Sequence, residues 1–256
     1  MKIVVVGLGK IGNALVKELL SYDKFEVIGV DIDSKKFIQN ITCFNSVFEI
    51  NADYYFITVY TSNQVLDVIN SINFENKPLI LVESTISLKD IDNIIEKVNS
   101  NDSYLSFFPH RFCENDSKHQ IFNLKRVIGS IDVKSKEKTI EFLNNFMDLN
   151  DLVWTNPKVA VLSKLVENSQ RYMDIIFAQE ISLLSKKESI NFEELRNCVN
   201  SKWNIELKEA LNGVTKGCLE KDILLLNELM KNDLLTESLN KNKEYIKIVS
   251  KSENYI

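Results

Sequence analysis

Three glycines near the N-terminus restrict this chain more than any other feature of its sequence. The motif Gly7-Leu-Gly9-Lys-Ile-Gly12 directly follows the expected strand 2–6 and opens a segment with helical spacing. The first glycine permits a tight turn, the second lets a phosphate approach the backbone, and the third lets the helix pack closely on the strand. The N-terminus of that helix favours an anion. The residues expected to hold a dinucleotide diphosphate are Gly7, Gly9, Lys10, Ile11 and Gly12.

An acidic residue at the end of the second expected strand indicates which dinucleotide fits. Asp31 follows Gly12 by nineteen residues, and a carboxylate there accepts hydrogen bonds from ribose hydroxyls and repels a 2′-phosphate. This arrangement favours NAD over NADP, although Lys35 and Lys36 lie close enough to attract a phosphate. Asp33 is expected only to cap a short helix. The alternative is a glycine-rich turn in the same fold that holds another ligand or none.

Short apolar runs alternate with helical patterns over the first 155 residues. The runs are β-branched or aromatic and nearly continuous in hydrophobicity, which is typical of strands buried on both faces of a parallel sheet. We expect strands at 2–6, 26–30, 53–59, 78–83, 104–108 and 126–129, and helices at 11–22, 62–72, 88–98 and 134–147. The alternation predicts an α/β Rossmann domain, a doubly wound parallel sheet, over residues 1–155.

The character of the chain changes at Pro157. Proline suits the first turn of a helix, and from there to Lys187 apolar residues recur every three or four positions without Pro or Gly. We expect one helix of about thirty residues, about 45 Å long. Shorter helices are expected at 192–199, 205–211, 219–230 and 237–249. Residues 156–256 are therefore predicted to form a small all-α domain that serves catalysis and dimerisation.

The long helix carries more apolar surface than two small domains are expected to cover. Its apolar residues include Val159, Leu162, Leu165, Val166, Met173, Ile176, Phe177 and Leu184. We therefore expect a homodimer joined through residues 157–187.

Composition and charge exclude several other classes of function. The chain has 256 residues, 31 of them basic and 36 acidic, with a net charge of −5 and no dense basic block, so no nucleic-acid partner is expected. There is no apolar run of about eighteen residues, so no membrane span is expected. Four scattered cysteines without a CxxC pair, and two histidines, predict no metal site. Without a secretory signal, we expect free thiols in a reducing cytoplasm.

Candidate chemistry lies in the second half of the chain. Lys164 and Asn168 are four residues apart on the long helix and share a face, and an ammonium beside an amide can stabilise a developing oxyanion. Cys218 precedes a helix, and a helix N-terminus with Lys216 and Lys221 nearby favours a nucleophilic thiolate. Each feature has an ordinary alternative: solvated polar residues for the pair, and a small buried apolar residue for the cysteine. The buried alternative is expected for the remaining cysteines, Cys43, Cys113 and Cys198.

Several blocks, in the same order along the chain, resemble the nucleotide-sugar 6-dehydrogenases, the UDP-glucose and UDP-N-acetylmannosamine dehydrogenase family. Two blocks are the most specific: Lys164-Leu-Val-Glu-Asn168 is similar to the catalytic helix, and Gly217-Cys218-Leu-Glu-Lys221-Asp222 is similar to a Cys-x-Pro-Lys-Asp loop. The other similar blocks are Val30-Asp31-Ile-Asp33, Phe56-Ile-Thr-Val-Tyr-Thr61, Glu83-Ser84-Thr85, Pro109-His-Arg-Phe-Cys-Glu114 and Arg126-Val-Ile-Gly129. The resemblance covers about residues 1–225.

The resemblance implies an enzyme that oxidises the primary alcohol of a nucleotide sugar to a carboxylate with two NAD+. It assigns Cys218 as the nucleophile that adds to the intermediate aldehyde, giving a thiohemiacetal, then a thioester that water hydrolyses. It assigns Lys164 and Asn168 as oxyanion stabilisers. The remaining catalytic residues that it implies are Asp222 as base or orienter, Thr61 as holder of a water, and Glu114 in the same cleft. Beside the glycine loop and Asp31, it places the cofactor against Lys36, Val59, Thr61, Thr85 and Lys221.

The chain departs from the family pattern at several points. His110 stands where the family has a glutamate for thioester hydrolysis, and an imidazole can serve as that base. Val161 replaces a glutamate on the long helix. The family continues into a C-terminal nucleotide-binding domain, which we expect this chain to lack. Two other functions stay open: a two-electron NAD-dependent dehydrogenase of a small hydroxy acid or phosphorylated alcohol, and a non-catalytic NAD-binding remnant.

Overall fold

The computed structural model of this chain describes residues 1–48, 50–113, 116, 118–215 and 217–253. It contains two compact units, Met1–Ser163 and Lys164–Ile256. The division falls inside the long helix, whereas the sequence places the domain boundary at residue 155.

The first unit is built on one eight-stranded sheet with the order β3-β2-β1-β4-β5-β6-β7-β8. The strands are β1 (Lys2–Val6), β2 (Glu26–Val30), β3 (Thr42–Phe44), β4 (Tyr54–Ile57), β5 (Leu79–Val82), β6 (Tyr104–Phe107), β7 (Arg126–Ser130) and β8 (Leu152–Thr155). The helices are α1 (Lys10–Leu19), α2 (Ser62–Ser71), α3 (Ile91–Asn99) and α4 (Val133–Leu143). The α/β Rossmann fold predicted from the sequence is confirmed.

Helices cover both faces of the sheet, and this explains why the strands are almost continuously apolar. In β1, Val4 and Val6 pack in one core cluster with residues of α2 and α3. Ile3 and Val5 point the other way and pack in a second cluster with residues of α1 and α4. Each such side chain, when fully buried, stabilises the folded state by about 1.5–3 kcal/mol relative to an exposed side chain. The two faces of the sheet are therefore used mainly for core packing, and a site is expected at the strand ends.

The chain order reverses between β1 and β4. From β1 the sheet grows through β2 to β3 on one side, and from β4 through β5 to β6 on the other, with all six strands parallel. Such a reversal opens a crevice at the carboxyl ends of the two central strands, where doubly wound sheets bind ligands. The glycine loop follows β1 at this point.

Two strands were not predicted, and one strand runs in an unexpected direction. β3 has only three residues, with partly exposed side chains, and β8 follows a short turn at Leu149–Asp151. β7 is antiparallel to β6, with Phe107 opposite Gly129, because the described residues between these strands form turns and irregular chain rather than a crossover helix. Apolar patterning reports burial and not strand direction, so this reversal is absent from the local sequence.

The second unit is helical. Its elements are α5 (Pro157–Lys187), which begins in the first unit, and α6 (Phe192–Asn200), α7 (Cys218–Met230) and α8 (Asp233–Glu253). The prediction of α5 is confirmed at both ends. None of the helices in the described part of the chain is long and apolar enough to cross a membrane.

The helix predicted at 205–211 is wrong. The described residues from 201 to 217 form turns and irregular chain. The Asn200 side chain accepts a hydrogen bond from the Leu207 N–H at 2.6 Å and donates one to the Leu207 carbonyl at 3.1 Å. Leu211 has a φ of 52°, in the left-handed region. Side-chain hydrogen bonds thus replace the helical ladder that the apolar spacing suggested.

Candidate cofactor and catalytic site

The glycine loop between β1 and α1 has the geometry that its sequence predicts. Gly7 has a φ of 93°, and a Cβ on Gly12 would lie 2.0 Å from the Gly7 carbonyl oxygen, so neither position tolerates a side chain. A Cβ on Gly9 would meet nothing within 4 Å, so the loop faces open space there. No side chain among the described residues caps α1, which begins at Lys10. An uncapped helix N-terminus beside open space fits a phosphate.

Thr58 holds this loop in place, and the sequence analysis missed it. Its hydroxyl donates to the Gly7 carbonyl at 2.7 Å, and its backbone N–H donates to the Val6 carbonyl at 2.8 Å. A Cβ on Gly7 would lie 3.0 Å from the Val59 nitrogen, so the glycine loop and the turn after β4 are in direct contact. Thr58 was assigned to a strand at 53–59, but β4 ends at Ile57.

Asp31 lies directly after β2, and its buried carboxylate has several partners. One oxygen accepts from the Leu8 N–H at 2.8 Å and the other from the Asp33 N–H at 2.9 Å. The Lys36 ammonium lies 3.4 Å from both oxygens. Asp31 therefore ties the glycine loop to the end of β2 and neutralises Lys36, the cation that the sequence analysis placed beside the cofactor.

Two neighbours complete the region around Asp31. The Asn45 side chain donates to the Asp31 carbonyl at 3.1 Å, a contact that sequence reasoning did not find because Asn45 follows the unpredicted strand β3. The Asp33 carboxylate accepts from the Lys35 N–H at 3.1 Å and caps the short turn Ser34–Lys36, as the sequence analysis expected.

The turns after β4 and β5 carry three further predicted residues. Thr61 is the N-cap of α2: its hydroxyl oxygen accepts from the Gln64 N–H at 3.2 Å, and the Gln64 side chain accepts from the Thr61 N–H at 3.0 Å. This capping role was not predicted. The Ser84 hydroxyl donates to the Val59 carbonyl at 2.7 Å, and Thr85 beside it is buried. The structure thus places Val59 and Thr85 in two turns that a hydrogen bond joins.

A buried ion pair supports these turns from behind. The Arg126 guanidinium donates to a Glu83 oxygen at 3.1 Å, hydrogen-bonds to the Phe108 carbonyl, and lies 3.4 Å from the centre of the Phe108 ring. Burial raises the pKa of Glu83 and lowers the pKa of Arg126, and the opposite charge of the partner opposes each shift. Removing one member leaves an uncompensated buried charge, so this pair holds the ends of β5, β6 and β7 together.

His110 lies in the turn after β6, next to this pair. Its backbone N–H donates to the Glu83 carbonyl at 3.4 Å, and its side chain is half-buried. Glu114, the other residue predicted in this segment, lies outside the described residues, as does Lys216 in the cysteine loop. In the first unit, the structure therefore brings His110 beside the turn that carries Thr85.

The second unit joins three predicted catalytic residues in one chain of polar contacts. The Lys164 ammonium donates to the Asn168 Oδ1 at 3.4 Å, and the Asn168 Nδ2 donates to an Asp222 oxygen at 2.5 Å. All three side chains are at least nine-tenths buried. The Asp222 carboxylate orients the Asn168 amide so that its oxygen faces the ammonium. A cation, a fixed amide and an anion in this order can stabilise negative charge that develops beside Lys164.

The cysteine loop leads directly into this cluster. Cys218 is the first residue of α7, and its free thiol is exposed. Asp222 follows four residues later and lies on the same side of the helix. The Lys221 ammonium lies 3.8 Å from Asp222, so the lysine predicted at the cofactor contributes to the charge balance of the buried carboxylate.

A buried tyrosine lies one turn beyond Asn168 on α5. Burial, and then the charge of Glu220, raises the pKa of Tyr172 to about 12. The phenol therefore stays neutral at neutral pH.

The three cysteines other than Cys218 were expected to be buried, and the structure agrees with this only in part. Cys43 is half-buried, but Cys113 and Cys198 are exposed, so the prediction that all three act as buried apolar residues is wrong for two of them. Cys198 lies on α6, a helix with no buried residue, which leaves no core position for the thiol. Among the described residues, no group of three or more His, Cys, Asp or Glu side chains is placed to hold a metal ion.

Comparisons with known proteins relate both units to one group of enzymes. Residues 158–246 match the central domain of the UDP-glucose/GDP-mannose dehydrogenase family. The chain is 28% identical over 289 aligned positions to the UDP-N-acetyl-D-mannosamine dehydrogenase of Methanococcus aeolicus, a match that covers 97% of this chain and 66% of that protein. The chain thus spans just under two thirds of the length of this relative.

Solved structures show the same fold. The UDP-N-acetyl-mannosamine dehydrogenase from Staphylococcus aureus superimposes with a TM-score of 0.82 at 20% identity, over 100% of this chain and 70% of that one. The 3-hydroxyisobutyrate dehydrogenase of Mycobacterium tuberculosis superimposes with a TM-score of 0.71 at 16% identity, over 97% and 94% of the two chains. Both architectures therefore resemble that of this chain.

Proposed function

We propose that this chain is a member of the UDP-glucose/GDP-mannose dehydrogenase family, whose central domain matches residues 158–246, and that it oxidises the primary alcohol of a nucleotide sugar to a carboxylate with NAD+. The names of its relatives make UDP-N-acetylmannosamine the first substrate to test. The observation that carries the proposal is the buried contact chain from Lys164 through Asn168 to Asp222. Asp222, the last residue of this contact chain, lies on α7, and α7 begins at Cys218.

The first unit fits NAD. The open space at Gly9 and the uncapped start of α1 suit a diphosphate, and Asp31 offers carboxylate oxygens to a ribose. Val59, Thr61 and Thr85 lie in the neighbouring turns and complete the residues proposed for NAD in this unit. Bound NAD+ supplies the hydride acceptor for each oxidation. The protein residues orient it and exclude a 2′-phosphate.

We predict that NAD+ is preferred over NADP+ and that this preference depends on the charge of Asp31. In Asp31→Asn, the amide oxygen can still accept from the Leu8 N–H, but the repulsion is lost and Lys36 is released from its ion pair. The ratio of NAD+ to NADP+ affinity should fall about tenfold, or about 1.4 kcal/mol. Titration calorimetry measures both affinities.

The double variant Asp31→Asn/Lys36→Met is the matched control for this prediction. Removal of the lysine takes away the cation that would attract the 2′-phosphate, so part of the preference for NAD+ should return. Wild-type protein that binds NADP+ as tightly as NAD+ would contradict the proposed role of Asp31.

The second unit supplies the groups for two successive oxidations. The substrate hydroxyl would lose its proton to water while Lys164 and Asn168 stabilise the alkoxide, and the carbon would become an aldehyde as its hydride passes to the bound nicotinamide. The Cys218 thiolate adds to the aldehyde carbon, and the oxygen is protonated to a thiohemiacetal. Loss of a second hydride and a proton gives a thioester. Water attacks the thioester carbonyl, the thiolate leaves, and the carboxylate is released; His110 is the proposed base for this water.

The number of NADH molecules formed per substrate tests the proposal. Purified protein is incubated with NAD+ and a panel of nucleotide sugars and small alcohols, and NADH and substrate are both quantified. Two NADH per substrate and a carboxylate product support the proposed reaction. One NADH and a carbonyl product support a two-electron dehydrogenase, and no NADH across the panel supports a non-catalytic NAD-binding protein.

The two-electron alternative has one specific observation in its favour. The fold similarity to 3-hydroxyisobutyrate dehydrogenase covers 97% of this chain and 94% of that one. Lys164 and Asn168 would serve such a reaction equally well. Cys218 would then have no catalytic role.

We further predict a homodimer that forms through α5. For two of the eight apolar residues of α5 named above, the expectation of exposed apolar surface is wrong. Leu165 and Ile176 are both buried within this chain. Val166, Phe177 and Leu184 remain 49%, 62% and 51% exposed. Their spacings of eleven and seven residues place them on one face of the helix. Phe177→Glu should therefore convert a dimer into a monomer at micromolar concentration, as measured by sedimentation velocity.

Trp203→Glu is the control for the dimer prediction. Trp203 is 92% exposed and lies outside the helices, so the same charge is introduced at an apolar residue away from α5. This variant should sediment as the wild type does. A wild-type protein that sediments as a monomer at micromolar concentration would contradict the predicted dimer.

A further inference from the structure

The irregular segment between α6 and α7 leads to Cys218, and a side chain of the last helix holds it. Asn242 of α8 is only 2% exposed. Its Oδ1 accepts from the Val214 N–H at 2.9 Å, and its Nδ2 donates to the Val214 carbonyl at 2.7 Å. One amide thus satisfies both backbone polar groups of a buried residue, as a neighbouring strand would do in a sheet.

The same face of α8 makes two further contacts with this segment. The Tyr245 hydroxyl donates to the Leu211 carbonyl at 3.2 Å. Gly213 has a φ of 100°, and a Cβ built on it would lie 2.2 Å from the Ile246 Cγ1. Asn242, Tyr245 and Ile246 are three and four residues apart, so they form one surface of the helix. This surface, which we call the α8 clamp, receives the backbone of residues 211–214.

Val214, which the α8 clamp holds, lies four residues before Cys218 along the chain. On the other side of Cys218, Asp222 is held by its 2.5 Å hydrogen bond from Asn168. The thiol is therefore placed between two anchored points, one on each side in sequence. Without Asn242, both polar groups of Val214 would lose their partners in a buried position, and the segment would adopt other conformations.

We propose that Asn242 is a positioning residue for Cys218: its paired hydrogen bonds to Val214 set the position of the thiol that attacks the aldehyde. This inference rests on the proposed function. It predicts a selective defect, because the first oxidation requires Lys164 and Asn168 but not the thiol. A displacement of about 1 Å in a reacting atom can lower a rate about a hundredfold.

Asn242→Leu tests the proposal, since leucine keeps a similar volume and makes neither hydrogen bond. Hydrogen exchange at the Val214 amide should become about fivefold to tenfold faster. Iodoacetamide should alkylate Cys218 at a rate at least severalfold different from the wild-type rate. In single turnovers, release of the carboxylate should slow about a hundredfold, while the first NADH forms at the wild-type rate.

Two further variants keep the test decisive. Asn240→Leu is the matched control: Asn240 is exposed on the same helix and contacts Glu237, so all three readouts should stay at wild-type values. If Asn242→Leu does not fold, Tyr245→Phe removes only the hydrogen bond to Leu211 and should shift Cys218 alkylation in the same direction by a smaller factor.

The outcomes separate this inference from the proposed reaction. Wild-type Cys218 alkylation in a folded Asn242→Leu protein would overturn the positioning role, as would equal slowing of both oxidations. A wild-type protein that forms no NADH would overturn the proposed function, whereas the exchange and alkylation measurements would still report whether Asn242 positions the thiol.

Discussion

Cys218→Ser should form the first NADH at the wild-type rate and then stop before free carboxylate appears. A serine hydroxyl is a far weaker nucleophile than a thiolate at neutral pH, and an oxygen ester opens more slowly than a thioester. We expect acid release to fall at least about a thousandfold, which corresponds to about 4 kcal/mol. Rapid-quench analysis of a single turnover measures NADH, covalent adduct and carboxylate together.

Two other cysteines provide controls for this experiment. Cys113 and Cys198 are also exposed and free, so a serine at either position tests for a general effect of losing an accessible thiol. Both variants should release acid at the wild-type rate. Full acid-forming turnover in Cys218→Ser would eliminate the nucleophilic role and leave the two-electron reaction as the better account of the chain.

Lys164→Met should slow the first oxidation about a hundredfold, or about 3 kcal/mol, because the cation that stabilises the alkoxide is lost. Methionine keeps a flexible stem at this buried position. The loss should appear in the rate of the first NADH and not only in substrate affinity, since the ammonium acts on charge that develops in the transition state. Stopped-flow absorbance under single-turnover conditions measures this step.

Lys158→Met controls for the removal of a positive charge from the same helix. Lys158 lies on the exposed side of α5 and pairs with Asp92 at 3.0 Å, and surface ion pairs of this kind contribute little. Its first oxidation should proceed at the wild-type rate. A Lys164→Met protein that is folded and equally fast would show that the ammonium does not face the reacting alcohol.

Local rules were sufficient for several features of the fold. The ends of α5 agree with the sequence because Pro157 starts a helix and no Pro or Gly interrupts it until after Lys187. The glycine loop agrees because steric limits at Gly7 and Gly12 leave few conformations. By contrast, the apolar spacing at 205–211 predicted a helix, but the segment is irregular and the Asn200 side chain both accepts from and donates to the backbone of Leu207.

The candidate site likewise contains residues that local sequence rules predict and residues that they do not. The pairing of Lys164 with Asn168 follows from helix periodicity alone, since residues four apart share a face. Asp222 is 54 positions from Asn168, and its assignment rested on a resemblance rather than on spacing. Thr58 and Asn242 carried no recognisable signal, because a threonine at a strand end and an asparagine on a helix are common.

The sequence by itself determined the glycine turn after β1, the acidic residue at the second strand, the long helix and the pair of residues on one of its faces. Each depends on steric or periodic constraints within a few residues. Only the tertiary structure decided the antiparallel direction of β7, the ion pair of Glu83 with Arg126, and the clamp of Asn242 on Val214. These depend on groups distant in sequence that satisfy one another's charge or hydrogen bonds after burial, and no local pattern encodes which distant partner a buried polar group will meet.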